Sequence, residues 1–104
     1  MIIVNTTFVI DRVLMDAFIL QLREQFVDSA MDSGIFTSWR LAQIVNNDDP
    51  TAVSLACELT SESITQASHW LKEIGDPVLT AMAAQWGDRL LWFRTILKRI
   101  DGRL

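Results

Sequence analysis

The chain has 104 residues, half of them hydrophobic, with a formal net charge of −4. That length fits one domain over residues 1–104, and the apolar content excludes disorder. The acidic balance argues against nucleic acid or an anionic membrane as the main partner, because both need a basic patch.

One cysteine and one histidine leave no internal disulfide, no cysteine-based zinc site and no convergent metal set. No cofactor is therefore expected. The start, Met1-Ile2-Ile3-Val4-Asn5-Thr6-Thr7, lacks the basic region and cleavage site of a signal peptide. No apolar run approaches the ~20 residues of a membrane helix, so a cytoplasmic protein is expected. Mean hydropathy is nevertheless +0.24, with 4 Trp and 5 Phe. That surplus suggests an oligomer interface or an apolar pocket.

Residues 2–10 are β-branched or aromatic apart from Asn5 and contain no Gly or Pro, which predicts a strand. Ile2, Val4, Thr6, Phe8 and Ile10 fall on one face. Ile3, Asn5, Thr7 and Val9 fall on the other. Asp11 is the expected N-cap of a long helix from about Arg12 to Asp32, with Gly34 as its stop. A helical wheel gives this segment two apolar stripes. Met15, Phe18, Ile19, Leu22, Phe26 and Ala30 form one; Val13, Ala17, Leu20, Val27 and Met31 form the other. They are either one wide core face or a core stripe and a partner-facing stripe.

Residues 35–46 and 51–60 read as a hairpin around Asn47-Asp48-Asp49-Pro50. Val53, Leu55, Cys57 and Leu59 alternate with small or polar residues, which predicts one covered face. Ser61 is the expected cap of a second helix with Ile64, Ala67, Leu71 and Ile74 on its apolar stripe and Trp70 at the edge. Gly75-Asp76-Pro77 should break or kink it. Residues 89–97 form a fourth strand, followed by a short polar tail.

The order βαββαβ is the ferredoxin-like, split βαβ pattern of the α+β class. Right-handed crossovers place both helices on one face of an antiparallel sheet ordered 4-1-3-2. Ile2-Ile3-Val4-Asn5-Thr6-Thr7-Phe8, Ser33-Gly34-Ile35-Phe36-Thr37 and Trp86-Gly87-Asp88-Arg89, in that order, resemble a bacterial family known only as a domain of unknown function. The resemblance spans nearly the whole chain. It implies a fold similar to the dimeric α/β-barrel group, in which two ferredoxin-like subunits pack sheet to sheet. That group includes cofactor-free oxygenases, isomerases, haem enzymes and pure ligand binders, so the fold assigns no reaction.

His69 falls on the polar face of the second helix with Glu73 one turn on, which describes a solvated pair. Cys57 falls on the covered face, where it is a small hydrophobe rather than a reactive thiol. There is no phosphate-cradling glycine loop. Trp39, Trp70, Trp86 and Trp92 suit core and interface packing.

Polar residues can converge only at the open sheet face, where Asn5, Thr7, Arg40, Glu58 and Arg94 are the candidate ligand-binding residues. A four-residue hairpin loop puts Arg40 beside Cys57, under the helices. An odd loop or a bulge puts it beside Glu58, which avoids burying a guanidinium. The functional expectation is a homodimer that binds a small molecule or a protein. The alternative is a cofactor-free oxygenase or isomerase for an aromatic or polyketide-like substrate, with Asn5, Arg40 or Arg94 stabilising an oxyanion.

Overall fold

The computed structural model describes residues 1–45 and 49–103. Four strands, β1 (Ile2–Asp11), β2 (Phe36–Ile44), β3 (Ala52–Ser61) and β4 (Leu90–Lys98), form one antiparallel sheet in the order β2-β3-β1-β4. This is the expected 4-1-3-2 order and the ferredoxin-like fold. The tip of the β2–β3 hairpin, with Asn47 and Asp48, lies outside the described residues. Next to it, Asp49 Oδ1 accepts hydrogen bonds from the Thr51 hydroxyl at 2.6 Å and the Thr51 N–H at 2.8 Å. Both bonds favour the ionised carboxylate and lower its pKa.

The first helix starts with a 3₁₀ turn at Arg12–Leu14 and continues as α1 (Met15–Leu22), a π turn (Arg23–Val27) and α2 (Asp28–Asp32). Asp11 belongs to β1 and makes no side-chain cap, contrary to expectation. Gly34, at φ 75°, supplies the left-handed stop. The two apolar stripes have different fates. Phe18, Leu22, Phe26 and Ala30 are buried, and so is Val27 from the second stripe. The wide π turn lets the neighbours Phe26 and Val27 both reach the core. Val13, Ala17 and Leu20 stay exposed.

The second helix runs through α3 (Ile64–Trp70), a π turn (Leu71–Gly75) and α4 (Asp76–Trp86). Its cap is Ser63, whose hydroxyl accepts from the Gln66 N–H at 3.2 Å. Ser61, the expected cap, closes β3 instead. Its buried hydroxyl donates to the Ile35 carbonyl at 3.0 Å and accepts from the Ser63 N–H at 3.1 Å. Gly75-Asp76-Pro77 does not break the helix. Pro77 needs no N–H early in α4, and Gly75 is small enough to sit against Trp70. A Cβ at Gly75 would lie 2.6 Å from Trp70 Cζ3. Trp70 is central rather than marginal, packed between Phe26 and Phe36 at centroid distances of 5.6 and 5.2 Å. Ile64 and Ile74 are exposed. Gly87, at φ 64°, ends the helix.

Both helices cover the same sheet face. Ile2, Val4, Phe8 and Ile10 from β1 and Val53, Leu55, Cys57 and Leu59 from β3 are buried beneath them. Each large apolar side chain buried this way contributes about 1.5–3 kcal/mol. Cys57 is fully buried. Its thiol is pushed up from 9.0 to about 12, first by burial and then by the Glu58 charge, with Arg94 opposing.

Cys57→Ser should cost about 1–3 kcal/mol, because it places a hydroxyl in an apolar site. Chemical denaturation measures this. The raised thiol pKa stabilises the fold fully below about pH 9, and that contribution is lost as pH rises toward 12. Native Cys57 should therefore resist a thiol reagent at neutral pH, where it is both protonated and covered. Rapid native-state labelling would contradict this. Gly75→Ala should lower stability by about 1–3 kcal/mol through overpacking against Trp70.

Candidate functional site

The strand registers set the uncovered face row by row. Arg40 of β2 pairs with Glu58 of β3, which pairs with Asn5 of β1, which pairs with Thr95 of β4. A polar row therefore crosses the whole sheet. On one side of it lies the row Ala42–Ala56–Thr7–Phe93, then Ile44–Ser54–Val9–Leu91. On the other side lies Ser38–Thr60–Ile3–Leu97. Within these four rows Arg40 and Glu58 are the only charged residues.

The unbroken pairing from Ile44–Ser54 back to Ser38–Thr60 puts Arg40 on the open face, and the bulge between Phe36 and Ser38 turns Phe36 to the core. Its Nε and Nη2 donate to Glu58 Oε1 at 3.0 and 2.5 Å. The Arg40 side chain is 72% exposed, so this pair contributes at most about 1 kcal/mol. Asn5 Nδ2 donates to Thr7 Oγ1 at 3.3 Å, while Asn5 Oδ1 is buried with no hydrogen-bond partner among the described residues.

Arg94 corrects the sequence reading. It pairs with Thr6 across β1 and β4, so it projects beneath the helices, away from Asn5 and Arg40. Its side chain is only 14% exposed. Nη1 donates to Asp76 Oδ1 of α4, Nε and Nη2 donate to Thr6 Oγ1 at 3.3 and 3.2 Å, and the guanidinium lies 5.2 Å from the Trp92 ring centre. Three partners offset the cost of burying the charge. The group ties an edge strand to the second helix. Neither Thr6 nor Asp76 was a candidate, because Thr6 shares a face with core residues and Asp76 sits in an apparent helix break.

A groove of about 250 Å³ opens on the uncovered face. Arg40, Glu58, Ser38, Thr60, Ile3, Met1 and Arg99 line it. Arg99, in the expected polar tail, extends the β1–β4 ladder instead: its N–H donates to the Met1 carbonyl at 3.0 Å. His69 and Glu73 are both exposed and form no ion pair with each other. Of the tryptophans, Trp70 is core. Trp86 donates to Gln21 Oε1 at 2.8 Å, and Trp39 stands at the β2 edge with Arg23 over its ring at 5.4 Å. Among the described residues no three His, Cys, Asp or Glu gather to hold a metal, and no helix is long and apolar enough to cross a membrane.

The profile of the family described as Domain of unknown function (DUF4286) matches residues 1–100. The chain belongs to this family. The DUF4286 chain is also similar to a solved dimeric ferredoxin-like protein from an uncultured marine organism. Sequence identity is 13%, coverage is 98% of each chain, and the TM-score is 0.60. That likeness shows the fold alone. No curated protein matches.

Asp76→Ala should cost about 1–3 kcal/mol, because it strips a mostly buried guanidinium of its counter-charge while Thr6 and Trp92 remain. His69→Ala should change stability by no more than about 0.5 kcal/mol. Paired urea titrations check both. Equal effects would show that Arg94 does not depend on Asp76.

Proposed function

We propose that this DUF4286 domain is a binding protein that works as a homodimer through its open sheet face. The observation that carries this reading is the apolar half of that face. Leu91 is 65% and Phe93 56% exposed, with Val9 paired to Leu91 beside them. Soluble monomers seldom expose a contiguous patch of large apolar side chains.

Charge supports the same surface. The four rows hold one guanidinium and one carboxylate, so their net charge is zero on a chain of −4. Two copies repel each other least where those rows meet, and charge depletion marks interface cores. A twofold contact would use the same patch on both copies. The solved neighbour is described as dimeric, which agrees with a dimer without giving its interface. The rival surface on α1 has lost Val27 and Met31 to the core, leaving Val13, Ala17 and Leu20. A cytoplasmic setting completes the reading, since the lone buried cysteine gains nothing from an oxidising compartment.

The enzyme alternative needs an oxyanion site built from Asn5, Arg40 or Arg94. Arg94 is on the far side of the sheet from the other two and is already held by Asp76 and Thr6. The open face therefore favours binding over catalysis.

Light scattering on wild-type protein at tens of micromolar should give a dimer. Val9→Asp and Phe93→Asp should each give a folded monomer. Leu20→Asp should leave the dimer intact. A wild-type monomer, or dissociation by Leu20→Asp alone, would overturn this reading.

A further inference from the structure

Three surface depressions differ in the charge of their linings. The depression at Val9, Gln43 and Asp49 is acidic, and the one along α4 balances Lys72 against Asp76. The groove at the Met1 end of the open face carries two guanidinium groups, Arg40 and Arg99, against one carboxylate, Glu58. Its lining is thus net positive by one charge on an acidic chain. We propose that this groove binds a small monocarboxylate with a compact apolar body.

Both guanidinium groups retain donor capacity. Arg40 directs Nε and Nη2 at the single oxygen Glu58 Oε1, and its Nη1 makes no hydrogen bond among the described residues. Arg99 Nη2 donates to the Gly102 carbonyl at 2.5 Å, but Nη1 has only Met1 Sδ at 3.9 Å, a weak acceptor. A carboxylate suits a planar guanidinium, which can offer it two parallel N–H groups. Ile3 and Met1 supply the apolar wall.

Glu58 sets the charge of the ligand. It is paired with Arg40, which leaves one net positive charge in the lining; a monoanion neutralises it, whereas a phosphate dianion leaves an excess negative charge beside Glu58. The volume of about 250 Å³ sets the size, below the roughly 300–1,000 Å³ typical of sites for drug-sized molecules.

The proposal does not rest on the dimer, and the test separates the two. Benzoate, a monoanion with a compact ring, is titrated into wild-type and Phe93→Asp protein while the amide resonances of Ile3, Ser38 and Thr60 are followed. Saturable shifts in the millimolar range are expected in at least one of the two. Benzamide, the neutral isostere, should give none, and phosphate at pH 8 should bind more weakly than benzoate. Arg40→Gln and Arg99→Gln should each weaken benzoate about tenfold, as for loss of a charge-assisted bond. Their wild-type-like amide spectra elsewhere would show intact folds. The proposal is overturned if benzoate does not saturate in either protein, if benzamide binds equally, if phosphate binds more tightly, or if both Arg variants keep wild-type affinity. Light scattering on the same samples reports the dimer independently.

Discussion

The right-handed crossover is the constraint on which the rest of this structure depends. Two βαβ-type connections of the same hand carry both helices to one side of a single sheet. Every apolar residue on that side of β1 and β3 then has a helix above it, and Phe8, Phe18, Phe26 and Leu59 are buried. The same rule leaves the other face without cover. A sheet of this size cannot be half core and half solvent-facing unless its uncovered residues are polar or something else covers them. Here the uncovered face of β1 and β4 carries Leu91, Phe93 and Leu97 largely exposed.

Register then decides what chemistry the uncovered face carries. In a strand a slip of one residue moves every side chain to the opposite face. Had the hairpin paired Asn46 with Thr51, the Arg40 guanidinium would lie beside Cys57 in the core. The observed pairing of Ile44 with Ser54 instead brings Arg40 to Glu58 and starts the polar row that ends at Thr95. The thiol of Cys57 registers the same geometry from the other side. It is raised by burial and further by Glu58, which occupies the next position of the strand on the opposite face.

Much of this was legible because the signals were redundant. Strict alternation in β3, from Val53 to Leu59, fixed its covered face, and turn residues bounded the hairpin. Arg40 could be placed because only one facing avoided an unpaired buried charge. Legibility failed where alternation carried no sign. β4 is apolar on both faces: Leu90 and Trp92 go inward, Leu91 and Phe93 outward. Arg94 was then its only marker, and a charge is ordinarily assigned to the wet side. Its partner Asp76 stood between Gly75 and Pro77, which look like a helix break. The helix survives there because the π turn at Leu71–Gly75 seats the Trp70 ring against a glycine. Ser61 misled for a related reason. A serine before a helix is a good cap, but this one is fully buried and holds the β2 entry at Ile35, so Ser63 caps instead.

The inward guanidinium of Arg94 also bears on how two copies meet. β4 is an edge strand, and a nine-residue edge with apolar side chains on both faces invites strand addition. Arg94 sits at its centre. An antiparallel pairing of two β4 strands about that residue would set two guanidinium groups opposite each other, an unfavourable cross-strand pair. Each is also anchored beneath the sheet by Thr6 and Asp76 and is not free to turn away. Inward-pointing charge is a known means of blunting a sheet edge. The four central rows of the open face bear no such obstacle, because their two charges are already paired within one copy as Arg40 and Glu58. The charge that stabilises the strand from inside thus disfavours association through this edge.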